Sequence, residues 1–280
     1  MDTKSTILLL LEQNRGKPVS GGKIAEMLGI SRNAVWKAIS SLKSEGYSIN
    51  AVSNRGYTLA SDSDILSCAG IANYLADERL ADKIHIYKSL ESTNKTAVEL
   101  AIGGAEHGTV VIADSQTDGK GRYDKHFYSP PKTGLYMSVL LRSKFFDLAN
   151  TTNITKTTAV AVCKTIEKMT GVEPEIKPVN DIFLNGKKIC GILTEAISDL
   201  ETGYIDWAVV GIGINITTAD FPDELQAVAT SIFLESAETV DATFRSRFAA
   251  ELINFFISSN ISREEIEREY EKRTIVNLLK

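Results

Sequence analysis

Residues 175–197 read EIKPVNDIFLNGKKICGILTEAI. Both central positions of a tight hairpin turn take positive φ, which Asn and Gly tolerate, so Asn185-Gly186 is a strong short-range hairpin signal. EIKPVNDIFL and KKICGILTEAI are therefore expected as antiparallel strands joined at that turn. Pro178 cannot donate to a ladder, which puts the first strand at a sheet edge or a bulge. Lys188 follows the turn on a rigid support, with Asn180 and Asp181 across the same hairpin.

Upstream, a short helix is expected around 67–77, then the strand IHIYKSL, the helix ESTNKTAVELAIGG, and the strands GTVVIADSQ and GLYMSVLLRS. A long helix follows, with Ala159, Val162, Cys163, Ile166 and Met169 on one side. Downstream come the strand DWAVVGIGINI and an amphipathic helical stretch over 243–272. Hairpin-joined strands with helices between groups point to an α+β body on a mixed, largely antiparallel sheet.

The first 60 residues have another character. Ile7, Leu8, Leu10 and Leu11 predict a helix that ends by Gly16 and Pro18. Ser20 caps a second helix, GGKIAEMLG, and Ser31 a third, RNAVWKAISSLKSEG, with Gly29 turning between them. Val35, Ile39 and Leu42 face inward in the third helix, and Trp36 reads as core or near-core. Two short strands around Asn54-Arg55-Gly56 complete a winged helix-turn-helix. In that geometry Ser31, Arg32, Asn33 and Lys37 are candidates for DNA contact, with Arg55 at the wing tip meeting phosphate or the minor groove. A small helical domain serving protein contacts is the alternative.

Charge agrees with this division. The 280 residues carry a net −5, made of +4 over residues 1–60 and −9 over the rest, so a polyanionic partner is expected for the head alone. The expected organisation is a winged helix-turn-helix over 1–62, a linker over 63–66 and a catalytic body over 67–273. No apolar run is long enough for a membrane span, and Cys68, Cys163 and Cys190 are too scattered for a disulfide framework or zinc site. They read as reduced thiols of a cytoplasmic protein.

The loop SQTDGKGRYDKHFYSPP, residues 115–131, combines Gly119 and Gly121, which admit close backbone approach, with Lys120, Arg122 and Lys125, which suit a phosphate. A solvated basic loop would look the same. Gly211, Gly213 and Asn215 offer a strand against whose backbone a ligand can lie. Ser92 or Thr93 reads equally as a helix cap, Gln116 as a strand end, and Asp181 as a turn carboxylate.

Taken together, ESTN (91–94), SQTDGKGR (115–122), KPVND (177–181), GKKICGIL (186–193) and GIGIN (211–215) resemble the bacterial biotin–protein ligase family. With the winged head, the chain is similar to the bifunctional form that also represses biotin synthesis genes. The resemblance implies a class II synthetase-like (biotinyl/lipoyl transferase-like) catalytic fold. It also implies formation of biotinyl-5′-AMP from biotin and ATP, then transfer to a lysine of a biotin carboxyl carrier protein. It implies biotin contacts from Ser92, Thr93, Asn94, Gln116, Lys120, Gly121, Arg122, Lys188, Gly191, Gly211 and Gly213. ATP or adenylate contacts are implied for Lys120, Arg122, Lys125, Phe127, Asn180, Lys188 and Asn215, and catalytic roles for Lys188, Arg122 and Asp181. Mg2+ would bridge the ATP phosphates with no metal-ligating side chains assigned. Operator DNA is the implied partner of the head, and a homodimer is expected when the adenylate orders the loop.

The sequence departs from the family pattern at Lys120, Asp124, Lys125 and Phe127, where Arg, Gly, Arg and Trp are usual, and at Pro178, where Trp is usual. Residues 274–280 are expected as the start of a missing or truncated C-terminal β-barrel. These departures leave a second reading, a biotin-sensing regulator without ligase chemistry.

Overall fold

The computed structural model describes residues 2–143, 151–198, 205–235, 239–258 and 261–275. Most of the expected C-terminal remnant, residues 276–280, lies outside them. The chain forms two compact units, Met1–Asp82 with Asp241–Ala250, and Lys83–Val240 with Glu251–Lys280.

In the first unit, helices α1 (Thr3–Gln13), α2 (Gly21–Leu28) and α3 (Arg32–Ser44) precede strands β1 (Ile49–Val52) and β2 (Gly56–Leu59). The side chains of Asp2, Ser20 and Ser31 each accept a first-turn amide, from Ser5, Lys23 and Ala34. Gly29, at φ 62°, closes α2 in the left-handed conformation that turns the chain into α3. Ile7, Leu11, Ile24, Val35, Ile39, Leu42, Ile49 and Leu59 pack together as the core. Trp36 is not part of it: the residue is 57% exposed, because Val35, Ile39 and Leu42 already fill the inward face.

The wing is pinned to the helices by Val19, whose N–H and C=O both pair with Tyr57, at 2.8 and 2.9 Å. A Cβ on Gly56, at φ 110°, would lie 2.0 Å from the Val19 carbonyl oxygen, so this position requires glycine. Residues 63–66, expected as a linker, are strapped down. Arg15 donates to the Ser63 carbonyl at 2.6 Å, and the buried Arg245 pairs with Asp64 at 3.0 Å. Helix α4 (Cys68–Ala72), shorter than the expected 67–77, follows.

The second unit contains β3 (Ile84–Tyr87), α5 (Thr93–Ile102), β4 (Val110–Ala113), β5 (Gly134–Arg142), α6 (Thr151–Thr170), β6 (Glu175–Lys177), β7 (Asp181–Leu184), β8 (Lys187–Ser198), β9 (Ile205–Asn215), α7 (Asp223–Gln226), α8 (Phe244–Ser258) and α9 (Arg263–Arg273). The first residues of α8 belong to the other unit. The sheet runs β3-β4-β5-β9-β8-β7-β6, and among the described residues only its β3–β4 ladder is parallel. Where one strand was expected over 175–184, the chain makes two, turning at residues 178–180; Pro178 stands just past the edge strand β6.

Side chains alternate across the sheet, which sorts its two faces. Thr194 meets Thr155 of α6 on one face at 2.8 Å. On the opposite face Glu195 meets Asn94 of α5 at 2.7 Å, and Gly191, Gly211 and Gly213 line a cleft. Lys188, three residues from Gly191, would point away from that cleft in a regular strand. The β7–β8 register instead runs from Ile182↔Cys190 to Phe183↔Lys188, and the bulge at Ile189 returns Lys188 to the cleft face. Among the described residues no helix is long and apolar enough to cross a membrane, and none of Cys68, Cys163 and Cys190 is in a disulfide.

Candidate functional site

A cleft of about 370 Å³ opens on the α5 face of the sheet. Its lining includes every residue the family resemblance assigned to biotin, adenylate or catalysis, from Ser92, Thr93, Asn94 and Gln116 to Gly213 and Asn215, but not Gly119. The lining also carries Lys120, Arg122, Lys125 and Lys188, against one carboxylate, Asp181, among the described residues. That surplus of positive charge in a concave site favours an anionic ligand.

Lys188 is held on both sides of its backbone. Its N–H donates to the Val228 carbonyl and its C=O accepts from the Thr230 N–H, each at 2.9 Å. Its ammonium lies 2.8 Å from Asp181 Oδ1, with both side chains partly exposed to the cleft. The segment 228–230 was not legible as part of the site, since nothing in VAT marks it as a strand partner.

The wall at the start of α5 differs from the expected cap. Ser92 makes no side-chain capping bond among the described residues. Instead the Gln116 carbonyl oxygen accepts from the Thr93 N–H at 2.8 Å and hydroxyl at 3.1 Å, while the Gln116 amide donates to Ser129 Oγ at 2.9 Å. Asn94 donates to Glu195 and accepts from Ser138 at 2.6 Å. Ser92, Thr93 and Asn94 are all buried. Gly211 leaves room for this arrangement: a Cβ there would sit 2.2 Å from Asn94 Oδ1. Asn215 donates to the Thr230 carbonyl at 3.1 Å, and its buried Oδ1 has no partner among the described residues.

The basic loop folds back on itself. Lys120 bridges His126, Phe127 N–H donates to the Gly119 carbonyl at 2.7 Å, and Gly121 N–H donates to the Lys125 carbonyl at 2.6 Å. The glycines were expected to present amides to a ligand. Here the Gly121 amide is spent within the loop, and a Cβ on Gly119 would meet the Phe127 carbonyl at 2.5 Å. The base of the loop is clamped by Gln116 N–H to the Ser129 carbonyl at 3.1 Å and by the Tyr136 hydroxyl to the Pro130 carbonyl at 2.9 Å.

Phe127 lies over the glycine floor, where a Cβ on Gly213 would approach its ring to 2.7 Å. The ring packs edge-on to Tyr136 at 6.4 Å, with Lys188 Nζ 6.0 Å from its centroid. At the tip, Arg122 reaches Asn180 Oδ1 at 3.4 Å, and its guanidinium lies 5.1 Å from the Tyr123 ring centre. Asn180 in turn donates to the Ile192 carbonyl at 3.0 Å. Lys120, Arg122 and Lys125 are exposed, so the loop brings long-stemmed cations over a hairpin-mounted one. No three His, Cys, Asp or Glu side chains gather as a metal cage among the described residues. The cleft's carboxylate is already partnered by Lys188, so any Mg2+ there would depend on a ligand's own phosphates.

In the first unit, Arg32, Asn33 and Lys37 are exposed along α3, and Arg55 is exposed in the turn between β1 and β2. Ser31 is exposed as well, with its hydroxyl accepting the Ala34 N–H at 3.1 Å.

Comparison with known proteins divides the chain in the same way. A family described as "HTH domain" matches residues 3–58, and the "Biotin/lipoate A/B protein ligase family" matches residues 86–215. The bifunctional ligase/repressor BirA of Bacillus subtilis is 40% identical over 240 residues, covering 85% of this chain and 73% of its own length. That of Salmonella typhimurium is 27% identical over 252 residues, covering 90% and 75%. Among solved structures, the biotin protein ligase from Aquifex aeolicus in complex with biotin and ATP superposes with a TM-score of 0.53 at 27% identity, over 68% of this chain and 72% of that one.

Proposed function

The chain belongs to the bifunctional ligase/repressor family, as an ATP-dependent biotin ligase with its own DNA-binding head, and from that membership we propose how its residues share the work. The observation that carries the assignment is the Lys188–Asp181 ion pair, mounted on the bulged hairpin and facing a cleft rich in cations.

In the first step a carboxylate oxygen of biotin attacks the α-phosphorus of ATP. A mixed anhydride forms, the bond from the α-phosphorus to the bridging oxygen breaks, and pyrophosphate leaves. Negative charge grows on the α-phosphate oxygens, where Lys188 and Arg122 stabilise it. Lys120 and Lys125 hold the departing phosphates, with Mg2+ carried on the nucleotide. Asn180 and Asn215 orient the adenylate, and Phe127 shields it from water.

In the second step a lysine amine of a biotin carboxyl carrier protein attacks the acyl carbon and AMP leaves. Asp181 takes the proton that the amine loses. Ser92, Thr93, Asn94 and Gln116 match the donors and acceptor of the ureido ring. Backbone at Gly121, Gly191, Gly211 and Gly213 lies alongside the ligand.

The head reads operator DNA through α3, with Ser31, Arg32, Asn33 and Lys37 at the major groove and Arg55 on the backbone. Adenylate binding orders the loop and favours a homodimer on DNA.

Incubation with biotin, MgATP and a carrier domain, followed by intact mass, tests the ligase assignment. A biotinyl mass gain on the carrier is expected. Biotin binding without any gain would leave a sensor.

A further inference from the structure

The recognition helix carries an unexpected side chain. Trp36 is 57% exposed and lies one turn beyond Arg32 and Asn33, next to the exposed Lys37. An indole exposed to that extent on the helix that would enter the groove offers a large, flat apolar surface to a ligand there. Helix α3, RNAVWKAISSLKS, has three cations and no carboxylate, so the surface around the ring complements a polyanion. The head as a whole carries +4, and the wing arginine Arg55 is likewise exposed.

We propose that Trp36 is a sequence-reading residue, whose ring packs on the C5-methyl group of a thymine in the major groove. The inference rests on the DNA-binding reading of the head. Residues in the first half of a recognition helix reach base edges, and the thymine methyl is the one apolar feature displayed there. Arg32 and Asn33 can satisfy hydrogen-bonding groups on neighbouring bases, and Lys37 a phosphate. Trp36 has only an indole N–H to donate and offers mainly apolar area. Its contribution is therefore to specificity. Met27, also 56% exposed, lies on α2, outside the helix that enters the groove.

The experiment uses the full chain with biotin and MgATP, and duplexes recovered from a random pool by selection on that chain. Each thymine in the recovered site is replaced in turn by deoxyuridine, which removes only the methyl. One position per half-site is expected to weaken binding about three- to fivefold, the effect of uncovering one methyl group. In Trp36→Ala the same replacement should have no further effect, while Trp36→Phe retains most of the discrimination. Indole fluorescence gives a second readout, since Trp207, the other tryptophan, is buried in the sheet. Emission should change on binding the thymine duplex and less on binding its deoxyuridine form. If the chain binds duplex but no thymine is methyl-sensitive, or the sensitivity survives in Trp36→Ala, the proposal fails and DNA binding stands. If no duplex is bound, the reading of the head fails and takes the proposal with it.

Discussion

Lys188 and Asp181 meet at 2.8 Å across the β7–β8 hairpin although they are not register partners: Lys188 pairs with Phe183 and Asp181 with Gly191. The bulge at Ile189 makes the meeting possible, and it ties the principal fixed cation of the cleft to the proposed proton acceptor. Before substrate arrives each neutralises the other. In the proposed mechanism an entering α-phosphate would compete with Asp181 for the ammonium and so free the carboxylate for the second step.

Replacing Lys188 with Ala is expected to lower adenylate formation by about 10²–10³, the usual effect of removing one preorganised electrostatic contact. Pyrophosphate release measures it, and far-ultraviolet circular dichroism should be unchanged. Wild-type turnover in Lys188→Ala would refute the assignment.

Asp181→Asn separates the two steps. Pyrophosphate release should persist, whereas transfer to the carrier should fall by about 10²–10⁴, the range for a lost general base. Single-turnover transfer from preformed adenylate checks this. Equal losses in both steps would make Asp181 a positioning partner of Lys188 alone.

Gly213→Ala puts a methyl group against the Phe127 ring, which must lift. Escape of the adenylate should quicken by about tenfold, or ~1.4 kcal/mol. A filter-binding chase with labelled adenylate reads it, and an unchanged off-rate would remove Phe127 from the shielding role.

For the head, Arg32→Ala combined with Arg55→Ala should weaken DNA binding, through the lost base contact at Arg32, and reduce the magnitude of the salt slope by about 0.9, for the one phosphate that Arg55 no longer neutralises. Binding isotherms across a salt series decide the matter. Parallel salt plots for the two proteins would mean that neither arginine meets phosphate.

His107 provides a test by pH. Burial first, and the Lys83 charge second, hold its imidazole below the usual 6.5. Its Nδ1 also accepts the Arg142 N–H at 3.2 Å, which requires an unprotonated nitrogen. The unfolded chain therefore takes up this proton first as pH falls below about 6.5. The stability contribution is full above that value, declines as pH drops toward the folded pKa, and then levels off. The melting temperature of the wild type should fall more steeply than that of His107→Gln between about pH 7 and pH 5.

Much of this architecture is legible in the chain itself. Asn185-Gly186 sits at φ 50° and 77°, the turn its sequence demanded, and Ser20, Gly29 and Ser31 punctuate the head as their types imply. What the sequence conceals has physical causes. The bulge at Ile189 uses a β-branched residue with no glycine to announce it, so the face of Lys188 is not deducible from alternation. Gln116 takes over the capping of α5 from Ser92 through a contact 23 residues distant, which local patterns do not encode. Hydrophobicity alone points Trp36 inward, although three other apolar residues already fill the inward stripe.

If ligand orders the loop as proposed, the clamp at Gln116, Ser129, Pro130 and Tyr136 restricts which part of it would have to be frozen. Ordering a free residue costs about 1–2 kcal/mol of backbone entropy, so a tether at both ends confines that cost to the stretch around Arg122. Affinity can then be retuned by stiffening or loosening a handful of tip residues, with the chemistry beneath left untouched.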